Sequence, residues 1–355
     1  MPNKETDLFS NLYAGALDLK NRIVMAPMTR SRADDAGIPG PHVATYYAQR
    51  ATAGLIISEG VYPCPMGRGY ARTPGMFTEE QVDAWLAVTD AVHAAGGRIV
   101  MQVMHAGRIS HPDLLPDGAL PVSASAVRPE GEAFTQEGMK PFVTPRALET
   151  HEIPDVIEDF RIATSLAFEA GFDGVELHAA SGYLAEQFLC SSTNQRTDQY
   201  GGSVENRARF ILEVLEAMTS VRSGDYIGIK LAPEMGFNHI HDDNPRETYC
   251  HLVEQLGYFR LAYLHVALFG DHGHYHDLLR PRFKGDAYLA GGGLTQETGE
   301  ALIRSGAADA AVYGTPFIAN PDLVERFRRH GPLAEADRST FYAPGPEGYI
   351  DYPPL

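Results

Sequence analysis

The sequence predicts an α/β fold, a single (β/α)8 TIM barrel spanning residues 1–355. Three observations carry that expectation. Short runs rich in Val, Ile, Leu and Met recur about eight times, each reading as a strand buried on both faces. Stretches of helical period fill the intervals between them. Eight right-handed parallel crossovers in succession also bring the last strand beside the first, which favours a closed barrel over an open doubly wound sheet.

The elements follow in order. Before Arg22, Gly15 marks a turn, which predicts a hairpin closing the barrel's bottom. The predicted strands are Arg22–Met28, Gly54–Gly60, Arg98–His105, Gly174–His178, Tyr226–Leu231, Ala262–Leu268, Ala287–Gly291 and Ala310–Gly314. Between the second and third, Val82, Trp85, Leu86 and Val92 share one helical face. Ser203 stands at an N-cap with Glu205 in the first turn, followed by Phe210, Leu212, Val214, Leu215 and Met218. Gly171, Gly257 and Gly306 are expected to end helices in left-handed conformation. Such a barrel needs ~250 residues. Much of the remainder is the segment 106–149 after the third strand, rich in Pro, Gly and Ser and long enough to be a lid or binding element.

Composition narrows the partners. Lys and Arg number 29 against 46 Asp and Glu, a net charge of −17, so nucleic acid and anionic membrane are not expected ligands. With 44% hydrophobic and 21% charged residues the chain can build a full core. Its three cysteines, Cys64, Cys190 and Cys250, show neither a disulfide framework nor zinc-ligand spacing. The stretch Met1–Asn11 is polar and acidic, unlike a signal peptide, and no apolar run is long enough to span a bilayer. A cytoplasmic protein, monomer or homodimer, acting on a small molecule is expected.

In barrels of this kind chemistry sits at the carboxyl ends of the strands. The polar residues there are Thr29 after the first strand, Gln102 and His105 closing the third, and His178 closing the fourth, with Ser181 and Tyr183 beyond it. Lys230 lies on the fifth. Gly291-Gly292-Gly293 ends the seventh and Tyr313-Gly314-Thr315 the eighth, where glycines and helix N-termini commonly receive phosphate, although such glycines also simply turn the chain. His178 and Tyr183 pair a neutral imidazole, able to donate to a carbonyl oxygen, with a phenol able to supply a proton.

Longer motifs point further. Arg22–Arg30 (RIVMAPMTR), Gly54–Gly60 (GLIISEG), Asn194–Asp198 (NQRTD), Tyr200–Arg209 (YGGSVENRAR), Phe317–Asp322 (FIANPD) and Glu347–Pro353 (EGYIDYP) resemble, in order and over nearly the whole chain, the old yellow enzyme family. The resemblance implies an FMN-dependent ene-reductase in which NADPH or NADH reduces the flavin and an α,β-unsaturated carbonyl or nitro compound then takes its place. It implies that Pro27, Met28 and Thr29 line the isoalloxazine, with Gly60 and Gln102 beside the pyrimidine ring. His178 would be half of the clamp on the substrate oxygen, Tyr183 the proton donor, and Tyr70 and Tyr349 walls of the substrate pocket.

Four positions depart from the family pattern. Ser181 stands for the Asn or His that completes the oxygen clamp, with a shorter reach. Met104 stands for a common Trp, reshaping the substrate pocket. Lys230 replaces an Arg near flavin N1 and C2=O, keeping the charge without the bidentate fork. Thr315 replaces an Arg on the FMN phosphate, a contact worth ~1.5–3 kcal/mol, so the phosphate would rest on backbone N–H groups near Gly292, Gly293 and Gly314 and the Thr315 hydroxyl. These changes leave open a redox-neutral isomerase or cyclase on the same scaffold and, more remotely, a non-catalytic binding protein. Histidines in Asn238–Asp243 and Asp271–Asp277 are read as polar loop residues facing the pocket and shaping substrate choice rather than as a metal site.

Overall fold

Eight of the apolar runs form a closed, all-parallel barrel in the computed structural model, which describes residues 6–355; the first five residues of the polar N-terminal stretch lie outside it. The strands are β1 (Ile23–Met25), β2 (Leu55–Val61), β3 (Ile99–Val103), β4 (Gly174–His178), β5 (Ile227–Leu231), β6 (Tyr263–Ala267), β7 (Ala287–Gly291) and β8 (Ala310–Tyr313). Each pairs with the next, and β8 closes on β1 through Ala311↔Ile23 and Tyr313↔Met25. The predicted runs overshoot the shorter strands by one to a few residues, because ladder pairing stops where the chain bends outward into its loops. Burial is complete along every strand except at Lys230, which reaches the cavity at the barrel's top.

At the opposite end the strands Leu12–Ala14 and Leu17–Leu19 form the expected hairpin. Its turn residue Gly15 has φ +59°, and a Cβ there would lie 2.2 Å from the Asp225 carbonyl oxygen. Ala14, Leu17 and Leu19 pack against Val24, Leu55, Val100 and Leu289 from inside the barrel, sealing its bottom.

Helices surround the barrel where the apolar stripes predict them. The helix Glu79–Ala94 opens with a capping box between Thr78 and Gln81 and buries Trp85, Val88 and Val92. Leu86 departs from the predicted stripe and is exposed. The helix Val204–Val221 is capped by Ser203, whose hydroxyl accepts the Asn206 N–H, and buries Phe210, Val214, Leu215 and Met218. Gly171 and Gly306 adopt left-handed φ as expected, but Gly257 does not. There the helix Pro245–Gln255 tightens into a 3-10 turn over Leu256–Tyr258, and Arg260 takes the positive φ instead.

The segment 106–149 carries a two-stranded antiparallel hairpin, Glu132–Thr135 with Gly138–Pro141, and a short parallel pair, Val122–Ser123 with Arg146–Ala147. Near the end of β2 the register with β3 shifts between Ile57 and Gly60. This bulge frees the Gln102 N–H from the ladder, and the Ser58 hydroxyl accepts it at 3.0 Å. The irregularity lies at the site, where it turns Gly60 toward the cavity.

Candidate active site

A cavity of about 640 Å³ opens at the carboxyl ends of the strands. Pro27, Met28, Thr29, Gly60, Gln102, Lys230 and Thr315 line it, together with Tyr70, Met104, His178, Ser181 and Tyr183, so most residues singled out from sequence converge on one space. Gly292, Gly293, Gly314 and Tyr349 are not on this wall.

The glycines have local reasons. A Cβ on Gly292, at φ +114°, would lie 1.7 Å from the Leu268 carbonyl oxygen, so close backbone approach alone requires glycine there. Gly293 has open space around it, and Gly314 sits beside Ala26 and Met28.

Tyr349 corrects the sequence expectation. It is fully buried and stacks on Tyr46 at 4.1 Å, with the Arg32 guanidinium 4.5 Å from its ring. Arg30 and Arg32 bind the tail around it: Arg30 donates to the carbonyls of Phe341 and Gly348, Arg32 to those of Thr340, Phe341 and Glu347. Burial pulls the Arg32 pKa down to about 10, still protonated at neutral pH. The clasp presents Phe341 and Tyr342, not Tyr349, to the cavity. The motif gave the residue's type at that position but not the direction of its side chain.

His178 and Tyr183 meet edge to face, ring centroids 4.9 Å apart. Burial, then the charges of Lys230 and His265, hold the His178 pKa well below its usual value, so its imidazole is neutral. Its Nδ1 is buried without a hydrogen-bond partner among the described residues. Tyr183 packs with Met104, Ala106, Ile109 and Phe142, and its hydroxyl lies 2.8 Å from that of Tyr70. Burial raises both phenol pKa values, that of Tyr70 to about 12, so both remain protonated at neutral pH. Ser181 takes a left-handed φ of 61°, and its hydroxyl faces the Met235 sulfur at 3.6 Å. Asn238, at the start of the histidine-bearing loop after β5 but given no role of its own from sequence, secures this turn by donating to the Ser181 carbonyl at 2.7 Å.

Beneath these groups lies a polar layer inside the barrel. Gln102 Nε2 donates to Glu176 Oε1 at 2.7 Å, and the other carboxylate oxygen lies 3.1 Å from His265 Nδ1. Lys230 is next to His265 in strand register, and its ammonium makes no hydrogen bond or ion pair among the described residues. Burial lowers its pKa, while Glu176 and then Glu186 oppose that shift. A free cation and a half-engaged amide facing one cavity fit the pyrimidine edge and carbonyl oxygens of FMN. Sequence reading selected Gln102, His178 and Lys230 but missed Glu176 and His265; the signal was charge inside an otherwise apolar strand run. His105 turns away from the cavity, its Nδ1 accepting the Gly107 N–H, and burial lowers its pKa to about 4.

The remaining walls come from loops. Phe134 and Met139 belong to the hairpin of segment 106–149, Met235 and Phe237 to the loop after β5, and Ile318 to the short helix Thr315–Ala319. The histidine run after β6 contributes nothing to this wall, contrary to expectation. His274–Leu279 is a short helix, so the rings diverge: His276 Nδ1 lies 3.0 Å from the Tyr288 hydroxyl, while His272 lines a separate, smaller cavity. Among the described residues no group of three or more His, Cys, Asp or Glu is placed to hold a metal ion, and no helix is long and apolar enough to cross a membrane.

Comparison with known proteins agrees with this geometry. Residues 7–334 match the NADH:flavin oxidoreductase / NADH oxidase family. The chain is 42% identical to 12-oxophytodienoate reductase 7 of Oryza sativa subsp. japonica, over 99% of this chain and 95% of that one. Morphinone reductase in complex with tetrahydroNAD superposes with a TM-score of 0.95 at 47% identity, covering 98% of each chain. The old yellow enzyme homologue from Zymomonas mobilis gives a TM-score of 0.95 at 39% identity, covering 98% of this chain and all of that one.

Proposed function

The chain belongs to the NADH:flavin oxidoreductase / NADH oxidase family and is an NAD(P)H-dependent FMN oxidoreductase of the ene-reductase type; on that premise we propose that it reduces the activated C=C bond of bulky, largely apolar α,β-unsaturated carbonyl compounds. The observation that carries the proposal is the convergence of a neutral His178 with the Tyr183 hydroxyl in one cavity, the two rings edge to face at 4.9 Å. Pro27, Thr29, Gln102 and Lys230 would hold FMN against this wall, where the flavin, reduced by NADPH or NADH, would supply the hydride. His178 holds the substrate carbonyl by donating a hydrogen bond, which polarises the conjugated double bond. Tyr183 delivers the proton to Cα, and the Tyr70 hydroxyl, 2.8 Å away, stabilises the phenolate left behind.

Ser181 is a poor second half of the clamp, because its hydroxyl is turned toward Met235, so His178 carries most of the polarisation. Met28, Met104, Met139 and Met235 give the wall adaptable side chains, while Phe134, Phe237, Phe341 and Tyr342 supply flat apolar area. That lining favours substrates of the kind named in its relatives, 12-oxophytodienoate and morphinone, over small polar ones. A redox-neutral isomerase or cyclase has no observation of its own in this cavity.

Anaerobic reduction with NADPH or NADH, followed by mixing with a panel of enones graded in size, tests the proposal. Bulky cyclic enones are expected to restore the yellow colour fastest. Reoxidation by none of them, or by the smallest alone, contradicts it.

A further inference from the structure

Glu176 is completely buried inside the barrel, where an apolar side chain would cost far less desolvation. It lies two residues before His178 on β4, so both project to the barrel interior, Glu176 one layer below the cavity. Both its oxygens are engaged, one by the Gln102 amide at 2.7 Å and one by His265 Nδ1 at 3.1 Å. Strand register places Gln102 directly beside Glu176, His265 beside Lys230 and Lys230 beside His178. The engaged groups lead to two residues that face the cavity, Gln102 and Lys230.

This arrangement constrains both of them. Donation from Nε2 to Glu176 fixes which way the Gln102 amide points, leaving its oxygen and one N–H for a ligand edge that presents a donor beside an acceptor. Lys230 has no counter-ion within ion-pairing distance among the described residues, so the anion of Glu176 acts on it through the low-dielectric interior rather than by contact. We propose that Glu176, held by His265, is a positioning residue for the flavin: it orients Gln102, partly offsets the charge of Lys230, and thereby sets the reduction potential of bound FMN.

The sign follows from charge. Reduction places negative charge on the flavin, which Lys230 favours and Glu176 opposes. Removing the Glu176 charge strengthens the net positive field and makes reduction easier.

The test is the midpoint potential of the holoenzyme, measured by spectral titration against a reference dye, for wild type and Glu176→Gln, with the FMN dissociation constant measured alongside. Glutamine preserves the shape and the hydrogen-bonding span while deleting the charge. The two-electron equilibrium is expected to move at least tenfold toward the reduced flavin, a positive shift of about 30 mV. Glu176→Asp keeps the charge but draws it away from Gln102 and Lys230, and is expected to shift the equilibrium in the same direction by about threefold. A Glu176→Gln potential that matches wild type or falls, with FMN bound, overturns the proposal. Failure of both variants to fold overturns it as well, since the carboxylate would then serve the core. The inference rests on FMN binding at this cavity; a colourless wild-type protein that takes up no FMN would be a distinct failure, of that premise.

Discussion

Replacing Tyr183 with phenylalanine removes one hydroxyl and almost no volume. The ring remains packed against Met104, Ala106, Ile109 and Phe142, so the fold loses little beyond the bond to Tyr70, about 1 kcal/mol. The chemical loss is larger. A positioned general acid contributes ~10²–10⁴-fold. The Tyr70 hydroxyl, 2.8 Å from the atom removed, remains in the cavity wall as a substitute donor, so the lower end applies: about 100-fold, or ~2.7 kcal/mol. Tyr70→Phe removes only the stabilisation of a partly formed phenolate and is expected to cost about fivefold. With both hydroxyls gone no phenol remains to donate, and the double variant should fall well below Tyr183→Phe alone. Anaerobic stopped-flow separates the steps. Flavin reduction by NADPH should stay within about threefold of wild type, while reoxidation by 2-cyclohexenone takes the whole loss. Unchanged reoxidation in Tyr183→Phe, or a double variant equal to the single, refutes the assignment.

Three further outcomes are expected. Glu186 is buried, and desolvation raises its pKa from 4.5 to about 7, so the stability it contributes is full below pH 4.5 and is lost as pH rises through 7. Glu186→Gln has no such dependence, so urea unfolding should show the variant gaining on wild type by up to roughly 3 kcal/mol between pH 4 and pH 8; parallel curves contradict this. Tyr349→Ala should destabilise the protein by ~3–5 kcal/mol in denaturant because it empties the clasp against Tyr46, whereas Tyr342→Ala should leave the melting temperature nearly unchanged and raise KM for bulky enones. Thr315→Arg should tighten FMN by one to two decades in a fluorescence titration if the phosphate lies at that position.

The strands were legible because parallel strands buried on both faces leave continuous apolar runs; Gly174–His178 and Ala287–Gly291 match residue for residue. The floor of the site was legible for a related reason, since this architecture fixes where strand ends point and Gln102, His178 and Lys230 stand on them. Its walls were not. Phe134, Met139, Phe237, Phe341 and Tyr342 come from loops, where no period links spacing to direction. Tyr349 shows the same limit from the other side: its motif is intact, yet its ring faces Tyr46 and two arginines. Gly292 was glycine for a backbone contact invisible in sequence, the carbonyl of Leu268.

The central claim is that Cα receives its proton from an acid in this cavity while Cβ receives hydride from the flavin. Turnover of an unlabelled enone with NADPH in D2O, with the product analysed by NMR, tests it directly. Deuterium at Cα and none at Cβ is the predicted result. No deuterium at Cα, or a shifted double bond without net reduction, contradicts it.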